Sequence, residues 1–496
     1  MNEIIQYFAE NCINRFVAAQ SEFYKRPENF AEFEMATKSI VLDLGKEFIR
    51  MVLEDINHQF ITSKKRKEKW YIEAHDHKQL ITTLGTVVYR KTLFTSKEEK
   101  TEDGKELMCY LSDKAIGFSE NQHISEGAIA KVYEEAVQTS YRKGGEAVSD
   151  EDAVSKQAVK EILHKTQFPA NFKVPKEKKK VDYLYIDADE DHYSLQFQEK
   201  KGDIETDSRG HKKNGAITKL IYVYEGVERE APKSKRHRLI NPHYFCRGEC
   251  DNNALWDEVY AYIETNYDVE NIKQIYLNSD GGGWIKAGYK RLHGIEYVLD
   301  EFHMSKYLLK ITSHMLDSQE DARKELCRII KSETKEKFQE MTERLTEYTE
   351  SESVKEKIRT SADYILNNWS AAKKRLWRRE GVVACSAEGH VSHVLSSRMS
   401  TLAMGWSKKG AGKMAQLREY YYNGGDMLEL VKYQKTVVQK AAGAETLELS
   451  AYDILKTEID HRNKSMQETA KYHDIITHQL SLQNRKQLVF QLNHYL

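Results

Sequence analysis

Proline is the scarcest structural signal in this sequence. Its five residues, Pro27, Pro169, Pro175, Pro232 and Pro242, all lie in the first half of a 496-residue chain. The stretch after Pro242 has none, so nothing there forbids long helices. Cysteine is nearly as sparse: six residues, mostly far apart, do not make a disulfide framework. No run of 18 apolar residues occurs, which excludes a membrane-spanning helix. Residues 1–10 include acids and lack a basic flank ahead of an apolar stretch, so no signal peptide is expected and the chain reads as cytosolic. A charge surplus is absent as well: 76 Lys and Arg face 77 Asp and Glu, a net charge of −1. Taken alone, that balance argues against a nucleic-acid binder, which usually has a basic surplus. Hydrophobic residues are plentiful at 40%, which rules out global disorder, and the length calls for two to four domains.

The first 60 residues show helical periodicity, as in Phe48, Met51, Val52 and Ile56, and end in the basic run Lys64-Lys65-Arg66-Lys67. Residues 79–94 change to strand chemistry around Gly85, with Leu80, Ile81, Val87, Val88 and Tyr89 among threonines, predicting a hairpin or small sheet. Residues 124–165 return to helix. Ile129, Val132, Tyr133, Ala136 and Val137 mark one buried face, and a second helix begins near Ser155. Short helices joined by Gly-containing turns could form a helix-turn-helix, though on spacing alone an ordinary helical hairpin is the favoured reading. Pro169 to Pro175 and the lysine-rich run after it read as a linker. Strands are then expected at 183–186, 193–197, 217–224 and 272–277, with a helix at 253–265. Residues 305–378 are helical and densely charged, and amphipathic helices follow at 426–496.

Two apolar strands lead into carboxylates. One gives Ile186-Asp187-Ala188-Asp189-Glu190-Asp191-His192, the other Leu277-Asn278-Ser279-Asp280-Gly281-Gly282-Gly283. Desolvating a carboxylate is costly unless something positive meets it, and a glycine run allows a tight turn and close approach of a ligand. Two such acids and a third would suit a hard cation such as Mg2+, which takes a few carboxylates plus water and phosphate oxygens. The plainer reading is a turn cap and a solvated loop. Glu388 is the candidate third acid, in small, weakly charged surroundings behind the basic run Lys373, Lys374, Arg375, Arg378 and Arg379. Those cations, interleaved with Trp369 and Trp377, suit a phosphate backbone with base stacking, or simply one exposed helix face. A zinc site from His237, His243, Cys246 and Cys250 is weak without a second well-spaced pair. Cys385, near His390 and His393, is conceivable as a nucleophile.

The strings YLYIDADEDHYSLQF (183–197), NSDGGGWIK (278–286), LDEFHMSKYL (299–308), CSAEGHVSHVLSSRMS (385–400) and MGWSKKGAGKMAQLREYY (404–421) make a long and specific pattern. By it the chain resembles the ISLre-two family of bacterial insertion-sequence transposases, over essentially its whole length. The family is related to DDE transposases that include the Mutator-like elements. The resemblance implies an α/β (α+β) fold: an RNase H-like mixed-sheet catalytic core with a helical insertion, a helical N-terminal DNA-binding region and a helical C-terminal region. It implies two Mg2+ or Mn2+ ions that serve cleavage at the element ends and joining of the freed 3′-OH to target DNA. Its metal ligands and catalytic acids map to Asp189 (ranked before Asp187), Asp280 and Glu388. His303, in Asp300-Glu301-Phe302-His303, would touch the scissile phosphate or serve as a structural histidine. Cys385 becomes a packing residue. Lys373, Lys374, Arg375, Arg378, Arg379, Lys408 and Lys409 would contact DNA. Leu402-Ala403 stand where Arg-Pro is common in the family.

The implied organisation is an N-terminal helical region (1–60), a strand-hairpin plus helix-turn-helix-like DNA-binding region (61–175), catalytic core parts at 178–304 and 379–425 around a helical insertion (305–378), and C-terminal helices (426–496). Partners are double-stranded DNA, both terminal repeats and target, and a homodimer or higher synaptic assembly, with no membrane and a bacterial cytoplasmic location. Two alternatives stay open: a metal-dependent nuclease that does not join strands, and a non-catalytic DNA-binding protein derived from a transposase. The charge balance is a sum of segregated regions. Residues 251–300 hold 4 basic and 9 acidic side chains, and residues 361–420 hold 10 basic and 4 acidic. Cations for phosphate and acids for metal are therefore both at hand.

Overall fold

Side chains on a strand alternate between faces, so a strand buried on both sides must be apolar at odd and even positions alike. Residues 183–188 meet that demand. In the computed structural model they open β4 (Tyr183–Ser194), the centre of a mixed sheet. The structure describes residues 2–101, 103–119, 121–197, 214–291, 294–377, 380–402, 404–442 and 451–460, and positions 200, 206, 208, 210, 463 and 464. Among the described residues no helix is long and apolar enough to cross a membrane. The chain divides into two compact units, one of residues 1–132, 146–154 and 434–496, the other of residues 133–145 and 155–433.

In the first unit a helix Phe30–Thr62, about 50 Å long at 1.5 Å per residue, lies against an antiparallel sheet of β1 (Trp70–Thr82), β2 (Gly85–Lys100) and β3 (Glu106–Cys109). The expected hairpin is present, and Gly85 at φ +117° supplies the turn. Phe60, Trp70, Phe94 and Leu111 form a core that Ala451, Ile454 and Leu455 complete. Of the C-terminal helices expected at 426–496, Met427–Ala442 and the helical residues 451–460 are described; the rest lies outside the described residues.

The second unit is built on β4 (Tyr183–Ser194), β5 (Gly215–Tyr224), β8 (His243–Arg247), β9 (Gln274–Ser279) and β10 (Ile295–Leu299), in the order β10-β9-β4-β5-β8. A side hairpin pairs β6 (Gly226–Arg229) with β7 (His237–Ile240). β4, β9 and β10 run parallel, while β5 is antiparallel to both β4 and β8. Leu184, Ile186 and Ala188 join the helices Asn252–Asn266 and Gly283–Arg291 on one face through Trp256, Val259 and Ile285. Tyr185, Tyr222 and Tyr276 meet Val391, Val394, Leu395 and Ala415 on the other. The sheet is thus the middle of three layers, a mixed α/β arrangement. Gly288 makes the first face possible, because a Cβ there would lie 2.0 Å from the Trp256 ring.

Two expectations need correction. The strands at 183–186 and 193–197 are one strand ending at Ser194, because pairing with β5 runs unbroken from Tyr185↔Tyr224 to Ser194↔Gly215. The run of acids therefore lies within a strand and not in a loop after it. Short β8 and β10 escaped sequence reading altogether. The helical stretch after β10 is five helices, Glu301–Thr312, Gln319–Ser332, Lys335–Glu347, Glu352–Asn367 and Trp369–Trp377, around their own core of Leu308, Leu326, Phe338 and Ile365.

Candidate active site

Parallel register decides which acids meet. Asp187 pairs with Asn278 and Ala188 with Ser279, so the next residues, Asp189 within β4 and Asp280 just past the end of β9, stand at one level. Leu299 pairs with Ser279 on the other side, which brings Asp300 to the same level, its amide donating to Ser279 O at 2.8 Å. Three aspartates thus stand side by side at one edge of three adjacent parallel strands, where strands lie about 4.8 Å apart.

Alternation sorts the acids of β4. Glu190 turns to one face, where it accepts from Trp284 Nε1 at 2.6 Å and lies 3.3 Å from His192. Asp187, Asp189 and Asp191 share the other face. Asp187 is fully buried, accepting from Tyr222 Oη at 2.8 Å, Tyr224 Oη at 3.1 Å, Asn278 Nδ2 at 2.8 Å and the Ser386 amide at 3.0 Å. Asp191 is buried too, accepting from Ser396 Oγ and Ser400 Oγ, each at 2.8 Å. The hydrogen bond described at Asp189 comes only from the adjacent Glu190 amide. Burial, and then the nearby Asp280 and Glu388 carboxylates, push the Asp189 carboxyl up to about 7, against the pull of that amide and of His303. Asp189 therefore feels each of the other three side chains.

Gly281 lets β9 turn at Asp280. Its φ is +88°, and a Cβ there would come within 2.6 Å of both Asn368 Oδ1 and Tyr297 Oη. Gly282 N donates to Asp280 Oδ1 at 2.9 Å, and Tyr364 Oη donates to Asp280 O at 2.6 Å, tying the turn to the helical insertion. Asp300 caps the helix Glu301–Thr312 and holds His303 Nδ1 at 2.7 Å. That contact raises the His303 imidazole above its ordinary value, with Asp280 and Asp189 adding to the effect. Glu388 is exposed on the short helix Ala387–His390, which runs on into a π-helical turn, Val391–Ser396. Such turns are frequent at functional sites.

Of the predicted ligands, Asp189 feels the charges of Asp280, Glu388 and His303, whereas Asp187 spends both oxygens inside the fold. Among the described residues, no three His, Cys, Asp or Glu side chains stand closely enough to hold a metal ion. The acids interact across a wider span than ligand bonds reach. The zinc reading fails on alternation: His243 stacks on Tyr262 at 4.1 Å while Cys246 is buried on the opposite face of β8. Burial also pushes the Cys385 thiol well above its ordinary value, so it stays protonated.

The predicted DNA contacts divide. Arg375 is buried, donating through Nε to Leu299 O at 2.8 Å, Nη1 to Val383 O at 2.7 Å and Nη2 to Asn278 Oδ1 at 2.8 Å. It is an internal brace with no fork left for a phosphate. Lys373 lies over the Trp377 ring, and Lys374 is 3.8 Å from Glu296. Lys408 forms an exposed pair with Glu249, and Lys409 is exposed. Arg378 and Arg379 lie outside the described residues. Sequence reasoning missed Asn278, Tyr222, Tyr224 and Ser386. A usable hint for Asn278 was its place two residues before Asp280, matching Asp187 two before Asp189.

The chain is similar to several proteins of Caldanaerobacter subterraneus subsp. tengcongensis. One UPF0236 protein is 35% identical over 428 residues, covering 86% of this chain and 85% of that protein, and its name joins eleven loci of one genome. A second is 35% identical over 429 residues, covering 86% and 85%, and joins four loci. Among solved structures, a Drosophila P element transposase strand transfer complex aligns over 72% of this chain and 93% of that one, at 11% identity and a TM-score of 0.20, too low to establish a common fold. The matched family model spans residues 25–436, and the chain belongs to the uncharacterised protein family UPF0236.

Proposed function

We propose that this protein is a DDE-type transposase of the ISLre-two kind, cutting DNA at element ends and joining the freed strand to target DNA inside the bacterial cell. The observation that carries the reading is the in-register pair Asp189 and Asp280, electrostatically coupled to Glu388 and His303. Carboxylates crowded at one edge repel one another, and a cation relieves that repulsion. The sheet order β10-β9-β4-β5-β8, in which β5 alone runs against the other four strands, supports an RNase H-like core. Relatives repeated at many loci of one genome fit a mobile element.

Asp189, Asp280 and Glu388 would hold two Mg2+ or Mn2+ ions. The donor set is all oxygen, and such ions complete their shells with water and substrate phosphates, so carboxylates spaced more widely than a closed ligand cage are compatible with them. When bound, the ions supply charge stabilisation at the attacking and leaving oxygens. The protein's own part is orientation. Asp300 fixes His303 through Nδ1 and favours its protonated form, which leaves Nε2 as a donor for a phosphate oxygen. Lys373, Lys374, Lys408 and Lys409 meet the phosphate backbone, and two element ends are held by a dimer or larger assembly.

Labelled terminal DNA incubated with a target plasmid and Mg2+ tests the reading. Strand-transfer product is expected. Cleavage without transfer favours a nuclease, and end-specific binding without cleavage in Mg2+ or Mn2+ favours a non-catalytic binding protein.

A further inference from the structure

Asp187 is the most heavily bonded carboxylate of the second unit's sheet, yet its oxygens face no solvent. Its donors come from three places. Tyr222 and Tyr224 belong to β5, Asn278 to β9, and Ser386 to the segment that begins the Glu388 helix. Ser386 is bound twice, through its amide at 3.0 Å and its Oγ at 3.4 Å, and that Oγ also lies 2.8 Å from Tyr222 Oη. Glu388 follows two residues later. Asn278 is held in turn by Arg375, whose Nη1 grips Val383 O, so a second tie fastens the same segment to the sheet.

A carboxylate only accepts hydrogen bonds, and here every partner is a donor. An Asn at this position would turn an NH2 group toward at least one N–H or O–H. The arrangement therefore asks for a carboxylate while leaving it no lone pair aimed at a ligand. We infer that Asp187 is a positioning residue, whose carboxylate clamps Ser386 to β4 and β9 and so presents Glu388 to Asp189 and Asp280. This rests on the phosphoryl-transfer reading of the same site. Sub-ångström placement matters there, since a displacement of about 1 Å can cost on the order of 100-fold in rate.

The test uses the full chain and the variants Asp187→Asn and Tyr224→Phe, the latter removing one donor with little volume change. Hydrogen–deuterium exchange without metal is expected to rise about tenfold or more over residues 383–390 in Asp187→Asn, and about threefold in Tyr224→Phe, with β9 amides unchanged. Mg2+ titration of end cleavage should show a higher half-saturating concentration in both variants, by about tenfold and threefold, with DNA affinity within twofold of wild type. Excess Mg2+ should restore most of the cleavage. Uniform acceleration of exchange across the sheet, or unchanged exchange at 383–390, overturns the clamp. A folded Asp187→Asn protein that cleaves at no Mg2+ concentration overturns it too, because Asp187 would then be a ligand itself. If Asp187→Asn does not fold, Tyr224→Phe decides alone. Asp280→Asn separates the two levels: cleavage surviving in that variant removes the phosphoryl-transfer reading, whereas its loss beside wild-type behaviour in Asp187→Asn and Tyr224→Phe removes only the clamp.

Discussion

Desolvation decides several roles at the level of single residues. Asp187 and Asp189 share a strand face and two residues of spacing, and nothing in IDADEDH separates a clamp from a ligand. The difference lies in Asn278, Tyr222 and Ser386, which reach Asp187 from distant points of the chain. Asp280 was more legible, because the three glycines after it announce a tight turn and close approach. Arg375 was misread: its neighbours in sequence are cations, but its face of the helix is inward. His243 gives a pH prediction. Stacked on Tyr262 and half-buried, it is pushed down to about 4 by desolvation, so it stays neutral in the folded protein. The unfolded chain binds this proton first, near pH 6.5. The stabilisation is fully present above that value and is lost as pH falls toward 4, by at most about 3 kcal/mol. Denaturant melts from pH 7 to 4 are expected to show this loss in wild type and a shallower slope in His243→Phe.

Among elements, long periodic segments were the readable ones: the hairpin around Gly85 and the helices of the insertion. Short strands were not. Five-residue β8 and β10 have too few residues to show a period, and their strand form comes from the edges they pair with. The seam between the helices Asn252–Asn266 and Gly283–Arg291 is a second contact invisible in sequence. Gly288→Ala places a Cβ into Trp256, and overpacking of this kind is expected to cost about 1–3 kcal/mol in a denaturant melt. The basic elements allow a paired test. Arg375→Met should destabilise by about 2–4 kcal/mol, since it leaves Leu299 O, Val383 O and Asn278 Oδ1 without their donor. Its DNA affinity should match wild type at equal folded fraction. Lys409→Ala should leave stability within about 0.5 kcal/mol and reduce the salt slope of DNA binding by about 1. A weakened affinity in folded Arg375→Met, with none in Lys409→Ala, would reverse this assignment.

For the molecule as a whole, a net charge of −1 conceals a division of labour. The acid-rich stretch 251–300 supplies Asp280 and Asp300, and a cation-rich stretch surrounds Glu388. The proposed DNA binding rests on local cations, so affinity is expected to fall steeply between 50 and 200 mM salt. The long motifs spread over the chain carry a resemblance to insertion-sequence transposases, whereas the two-unit division, in which Ala451, Ile454 and Leu455 complete the core beside the N-terminal sheet, depends on contacts distant in sequence. The central claim is that Asp189, Asp280 and Glu388 act together in metal-dependent strand cleavage. Cleavage of labelled terminal DNA by Asp280→Asn, beside a binding assay on the same DNA, tests it most directly. The account predicts end binding within about twofold of wild type and no cleavage in Mg2+ or Mn2+; cleavage retained at a comparable rate would contradict it.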